Sequence, residues 1–479
     1  MLLFVLGLLL LIAGYFTYGK LVEKVLAPDD RPTPCVKNPD GVDFVPLPHW
    51  KNMLIQLLNI AGIGPVIGVI LGIKFGSIVF LIIPVGNLIA GATHDFLSGM
   101  MSLRHNGANL PLLVEDNLGR NYARAFSAFT VILLLLVVAV FINIPANLIA
   151  GLLPGNLFWA AVTAIALYYV LAALFPVDKI IGMLYPWFGG LLIVSTLAIG
   201  GALLWEGMRQ PALLEESEAF RARMFRGENY PVVPLLFVTI ACGIISGFHA
   251  TQSPIIARTM RSERQARSSF YGMMVLEGVI AMIWAGAGLA IYNLCPDDMT
   301  VAATKVLQHI TTHFLGSVAG TVTVLGVIVL AITSGDTALR STRLALAEML
   351  HLDQKPLGNR LLLCLPLLLV VADLLWWSNQ SAKTFGLLWN YFAWGNQVLA
   401  ASTLLAASVW LARQGKNRWI AMAPAAFMTF IVICYILWIS PVHGGPVGFG
   451  LPLHVAYVIS AQLTLFALLW VWWRGRNRQ

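Results

Sequence analysis

In the stretch SGFHATQSP, from Ser246 to Pro254, polar side chains gather inside an otherwise apolar run. Ser246, Gly247, His249, Thr251, Gln252 and Ser253 offer hydroxyls, an amide, an imidazole and a bare backbone to a polar solute. An imidazole can hydrogen-bond a carboxylate and can also take up a proton near neutral pH. A second interruption is GIGPVIG, where Gly62, Gly64, Pro65 and Gly68 fall near the middle of another apolar run. Proline deletes a backbone hydrogen bond and glycine leaves helical dihedrals without steric cost, so both stretches predict a helix that unwinds. The loose ends of such helices present N–H groups to an anion and carbonyls to a cation or polar group. That chemistry suits a small carboxylate or zwitterion.

Further ionisable groups sit at the ends of other apolar runs. His94 and Asp95 close the third, and Asp336 closes the ninth, just after Thr333 and Ser334. Asp95 reads as a partner of Arg104 at the membrane boundary, or as part of an inner gate or proton path. Asp336 reads as a partner of Arg340 one turn on, or as a titrating group. Arg104 and Arg340 are the candidate gate cations. Asn396 and Gln397, in the eleventh run, either reach a solute or join helices.

The elements that must position these groups are membrane helices. The chain has 479 residues, of which 58% are hydrophobic and 11% charged, with a mean hydropathy of +0.80. Soluble domains carry about 25% charge. Thirteen runs long enough to cross a bilayer as helix occupy approximately 2–22, 52–72, 75–97, 124–145, 157–175, 186–206, 232–250, 268–294, 315–335, 359–378, 383–410, 418–439 and 453–473. They leave no soluble domain and no basic folded face for nucleic acid. The expected class is an all-α polytopic membrane protein of about 13 helices, with the lipid bilayer as its first partner. Five scattered cysteines without a C-x-x-C pattern predict neither a transition-metal site nor a redox motif.

The interrupted runs are the second and the seventh, five apart. Two five-helix repeats follow, 51–206 and 230–410, each opening on a broken helix. An odd number of helices per repeat makes the second an inverted copy of the first. Residues 1–50 then form an added N-terminal helix and inner loop, and 411–479 two accessory helices. Charge agrees: with the N-terminus outside and the C-terminus cytoplasmic, 23 of the 30 Lys and Arg residues lie on the inner side.

GIGPVIG, GATHDFLSGMMSLRHNGANLP from 91, SGFH from 246, TSGDTALRSTR from 333 and WGNQVLAA from 394 resemble, in this order, the carbon starvation protein family. The resemblance covers about residues 50–410. It implies a leucine-transporter-type fold within the amino acid, polyamine and organocation superfamily. It also implies an inner-membrane uptake system for peptides or pyruvate, induced when carbon is scarce and driven by a proton or sodium gradient, with no other cofactor. In that fold the ninth helix completes a sodium site. Thr333 and Ser334, with backbone carbonyls from Ile60 to Ile63, would be its oxygens here.

Two other classes stay in view. A membrane-embedded enzyme or sensor would gather His94, Asp95 and His249 around a metal, but H-E-x-x-H, G-x-S-x-G and P-loop motifs are absent. A channel would show repeated pore loops or rings of charge, and neither appears. Peptide or pyruvate, proton or sodium, and the oligomeric state are left open by these residues.

Overall fold

Pro65 cannot donate to a helix, and Ala61 before it has ψ 58°, outside helical values. The second run is therefore two half-helices, α2a (His49–Ile60) and α2b (Gly64–Phe75), meeting at 53°. The computed structural model describes residues 1–476 other than Asn156, Phe175, Pro176 and 442–444. Among them all regular structure is helical. Around α2 stand α1 (Leu2–Leu26), α3 (Val79–Arg104), α4 (Arg120–Leu152), α5 (Phe158–Leu174) and α6 (Val177–Arg209). The second half follows with α7a (232–244), α7b (Gly247–Ala257), α8 (Glu263–Leu294), α9 (Ala303–Met349), α10 (Leu357–Ser378) and α11 (Ala382–Arg413). Helices α12 (Trp419–Trp438) and α13 (Leu453–Arg476) complete the chain. Among the described residues ten helices and the bent α2 pair are long and apolar enough to cross a membrane, and the shorter α5 and the broken α7 lie on the two remaining apolar runs.

Position in this arrangement follows surface chemistry. Helices α8 and α11 are almost wholly buried, whereas α1, α10 and α13 turn Leu9, Ile12, Leu362, Leu369, Leu465 and Phe466 outward. Outward apolar side chains suit contact with acyl chains. One end of the molecule gathers the connections 27–48, 105–119, 258–262 and 414–418, the first two carrying short helices at Pro34–Lys37 and Leu110–Leu118. There Arg104 donates to Ala27 O, Lys416 to Leu26 O, Arg413 to Asp116 O and Leu47 N to Thr259 O. We call this the basic end.

Three expectations change. First, His94 and Asp95 do not close a span. Helix α3 runs on to Arg104, through a π-helical turn at Asn87–Gly91, and both residues are completely buried. The polar run after Asp95 looked like an exit because its serines and Arg104 are hydrophilic, but they face protein. Second, Asp336 does not end a helix. Helix α9 breaks earlier, at Gly316 (φ 76°, ψ 177°), and continues to Met349 with Asp336, Arg340 and Arg343 inside it. Third, the second interruption is shorter than SGFHATQSP. Only Ile245 and Ser246 are extended (φ −162° and −136°), and α7b resumes at Gly247 with Pro254 inside it.

Candidate functional site

The two broken helices touch. A methyl group on Gly64 would overlap Cys242 Cβ, one on Gly72 would overlap Ile240 Cγ2, and one on Gly68 would lie 3.0 Å from Thr239 O. Small residues thus let α2b run against α7a at backbone distance. At the first break, a Cβ on Gly62 would lie 3.1 Å from Ser334 Oγ and 3.0 Å from Phe141 Cζ. Ser334 donates to Leu58 O at 3.0 Å, so α9 reaches the carbonyl end of α2a, but before the expected carbonyls of Ile60 to Ile63. Thr333 donates back to Leu330 O in its own helix. The Ile60 and Ile63 carbonyls already accept backbone N–H groups from Gly62 and from Val66 and Ile67, which leaves each with less capacity for a cation.

Helix α11 splints the second break. Asn396 Oδ1 accepts the Phe248 N–H at 2.6 Å, Asn396 Nδ2 donates to Ser246 Oγ at 2.8 Å, and Gln397 Nε2 donates to Ile245 O at 3.0 Å. Extended backbone at membrane depth survives only when its polar groups are satisfied by protein. Gly247 permits this, because a Cβ there would overlap Ala400 N and Asn396 O. Asn396→Ala is therefore expected to destabilise the protein by about 1–3 kcal/mol, the cost of leaving a buried donor without its partner. Thermal unfolding in detergent measures this, and an unchanged melting temperature counts against the splint.

Beside the second break lies a chain of ionisable groups. Asp95 Oδ1 is 2.8 Å from His94 Nδ1, and Asp95 Oδ2 is 3.0 Å from His249 Nδ1. The other nitrogen of His249 is 3.8 Å from Glu277 on α8. All four residues are buried. Ser98 and Ser253 meet at 2.8 Å beside them, and Gln252 donates to Ser341 at 3.2 Å, tying α7b to α9. The Thr251 hydroxyl donates to Phe248 O and accepts from the Gln252 amide, while the Thr251 carbonyl accepts from Ser341 Oγ on α9 at 3.0 Å. Arg104 does not pair with Asp95. It binds Glu263 at 2.5 Å, because α3 carries it a further two turns to the basic end. The Asp336 carboxylate accepts from Tyr168 at 2.7 Å.

Glu277, Gln56 and Asn59 were missed in the sequence. Glu277 is fully buried, and neither carboxyl oxygen has a hydrogen bond to a described residue. The same holds for both polar atoms of Gln56 and of Asn59, in the last turns of α2a. The signals were present: one acid in the run 268–294, and two amides just before GIGP. Intramembrane polar groups of this kind mark solute or proton paths by default. Among the described residues, no three of His, Cys, Asp and Glu are placed to share a metal ion. An apolar hollow of about 510 Å³ between α4, α5 and α9 reaches Thr333, beside the first break.

A sequence profile described as Carbon starvation protein CstA matches residues 1–181, 160–293 and 294–434. A membrane protein of Haemophilus influenzae is 39% identical over 59% of this chain and 89% of its own length. The peptide transporter CstA of Campylobacter jejuni is 25% identical over 87% of this chain and 76% of its own. The pyruvate/proton symporter BtsT of Escherichia coli is 26% identical over 55% of this chain and 45% of its own. Among solved structures, a manganese transporter mutant of Eremococcus coleocola superimposes with a TM-score of 0.57 at 14% identity, covering 91% of this chain and 99% of that one. MhsT with L-phenylalanine gives 0.57 at 12% identity, covering 90% and 99%. At these identities the superpositions speak for the fold alone.

Proposed function

The chain belongs to the carbon starvation protein CstA family, and on that premise we propose that it is a secondary active transporter and not an enzyme. It takes up a small carboxylate-bearing carbon source, a pyruvate-like acid or a short peptide, across the inner membrane by alternating access. The coupling ion is the proton. One observation carries this reading: from His249, just past the second break, a buried chain runs to Asp95 and His94 on α3 and to Glu277 on α8, whose carboxyl oxygens have no hydrogen bond to a described residue. A buried charge without a partner costs several kcal/mol, so such a group changes charge only as its surroundings change, which is what coupling a proton to a solute requires. Relatives named for peptides and for pyruvate with protons support the solute class. The 23 of 30 Lys and Arg residues assigned to the inner side support a cytoplasmic position for the basic end.

Reconstituted in liposomes, the protein is expected to accumulate labelled pyruvate or dipeptide only under an imposed proton gradient. Equal uptake with no gradient would make it a channel. Stoichiometric zinc lost in His249→Ala would favour a metal-dependent protein instead. The contact of Ser334 with Leu58 O favours a second reading, in which sodium at Thr333 and Ser334 drives the same cycle. Accumulation under a sodium gradient alone, lost in Ser334→Ala, would select it.

A further inference from the structure

At the basic end, buried guanidinium groups converge on one acid of the loop between α1 and α2a. Arg340 Nη1 is 3.2 Å and Arg343 Nη2 3.8 Å from Asp43 Oδ1. Arg340 and Arg343, three residues apart on one face of α9, are 1% and 0% exposed. Arg340 also donates to Ala172 O, and Arg343 Nη1 to Gln354 at 2.5 Å. Arg343 Nε and Nη2, however, make no hydrogen bond to any described residue. Arg258 stacks on Phe44, next to Asp43 in sequence, at 5.2 Å. Burial pushes the Asp43 carboxyl up, but Arg340, Arg343, Arg258 and Arg360 outweigh it and hold the group below the usual carboxylate range.

The turn that carries Asp43 is preformed. Asp40 Oδ1 accepts the N–H groups of Val42, Asp43 and Phe44 at 2.8, 3.0 and 2.8 Å. Fastenings flank this turn: Cys35 Sγ donates to Met260 O and Arg264 to Asp30 before it, and Leu47 N donates to Thr259 O and Arg261 to Pro46 O after it. Beside it is a hollow of about 510 Å³, lined by Arg258 and Asp43 but also by Asp40, Glu348 and Asp353. Those acids repel a second anion. A ligand carboxylate can reach the arginines only by taking the place of Asp43.

We propose that Arg340 and Arg343 form a carboxylate-binding site at the basic end, and that Asp43 occupies it as a tethered copy of the ligand's own carboxylate. The planar guanidinium fork suits this class of anion. When the loop withdraws, a solute carboxylate from the central site replaces Asp43 before release, and the loop's return expels it. The site's role rests on the uptake reading, but its chemistry does not.

The test uses full-length protein in lipid nanodiscs, titrated calorimetrically with pyruvate, alanyl-alanine and alanyl-alanine amide. Asp43→Asn keeps the side chain's shape and removes the competing charge. It is expected to bind pyruvate and alanyl-alanine about tenfold more tightly than the wild type, since a tethered competitor acts at millimolar effective concentration. The amide gains nothing. A binding gain for pyruvate alone assigns the site to free acids, and one for both probes extends it to peptide C-termini. Arg343→Lys in the Asp43→Asn background abolishes the gain, because an ammonium cannot supply the fork. If Asp43→Asn folds poorly, its lowered melting temperature is expected to recover on adding acetate. No gain, an equal gain for the amide, a gain that survives Arg343→Lys, or a loss of stability that acetate does not repair would overturn the proposal. A wild-type protein that transports nothing, with the Asp43→Asn gain intact, would end the uptake reading and leave the site standing.

Discussion

Gly64→Leu is expected to abolish uptake while the protein still inserts into the membrane. Even a methyl group at this position overlaps Cys242 Cβ, and a leucine adds three more carbons where α2b meets α7a. Overpacking of this kind forces side chains or backbone to shift, at about 1–3 kcal/mol or more. The breaks themselves give first, since they are the places where the ladder of hydrogen bonds is already open. A compensating pair separates a local clash from general damage. Gly64→Ala should lose uptake, and Cys242→Gly in the same chain should restore much of it, because the overlap is with Cys242 Cβ and Sγ. Uptake of labelled pyruvate or dipeptide into liposomes is the measurement, with the elution profile in detergent as the check on folding. Normal uptake by Gly64→Leu would remove the first break from the mechanism.

Glu277→Gln is expected to separate exchange from accumulation. The substitution keeps the size of the side chain and removes its ability to gain and lose a proton. Preloaded liposomes should still exchange labelled for unlabelled solute, while accumulation against a gradient falls to background. His249→Ala should lose both, because His249 also holds Asp95 at 3.0 Å and so shapes the site. Asp95→Asn resembles Glu277→Gln only if the proton passes along the whole chain. Full accumulation by Glu277→Gln at every external pH would show that the Glu277 carboxyl is not the coupling group.

How far the sequence could be read depended on whether a feature was local. The first break was legible because Gly62, Gly64 and Pro65 act through their own backbone, and the five-helix offset to SGFH was legible from spacing. The second break was placed too broadly. Pro254 marked it on paper, but the splint from Asn396 and Gln397 decides where the chain straightens, and that contact joins residues about 150 positions apart. The depth of Asp95 was misjudged for a related reason. A hydrophilic stretch such as SGMMSLRH ends a span when lipid surrounds it, but not when α7b and α8 do. Glu277 was legible in principle as a single acid in an apolar run, whereas Asp43 was not. Its significance comes wholly from the guanidinium groups that tertiary structure sets around it.

The splint on the second break has a consequence for the direction of net flow. If a passing molecule had to supply the missing hydrogen bonds of Ile245, Ser246 and Phe248, a vacant carrier would collapse there and could turn over only when filled, trading one molecule for another. Because Asn396 and Gln397 supply those bonds from within the protein, the empty form keeps its hinge and can swing back alone. In the proposed uptake cycle, that unloaded return leg is what would let a cell gather fuel without giving any up.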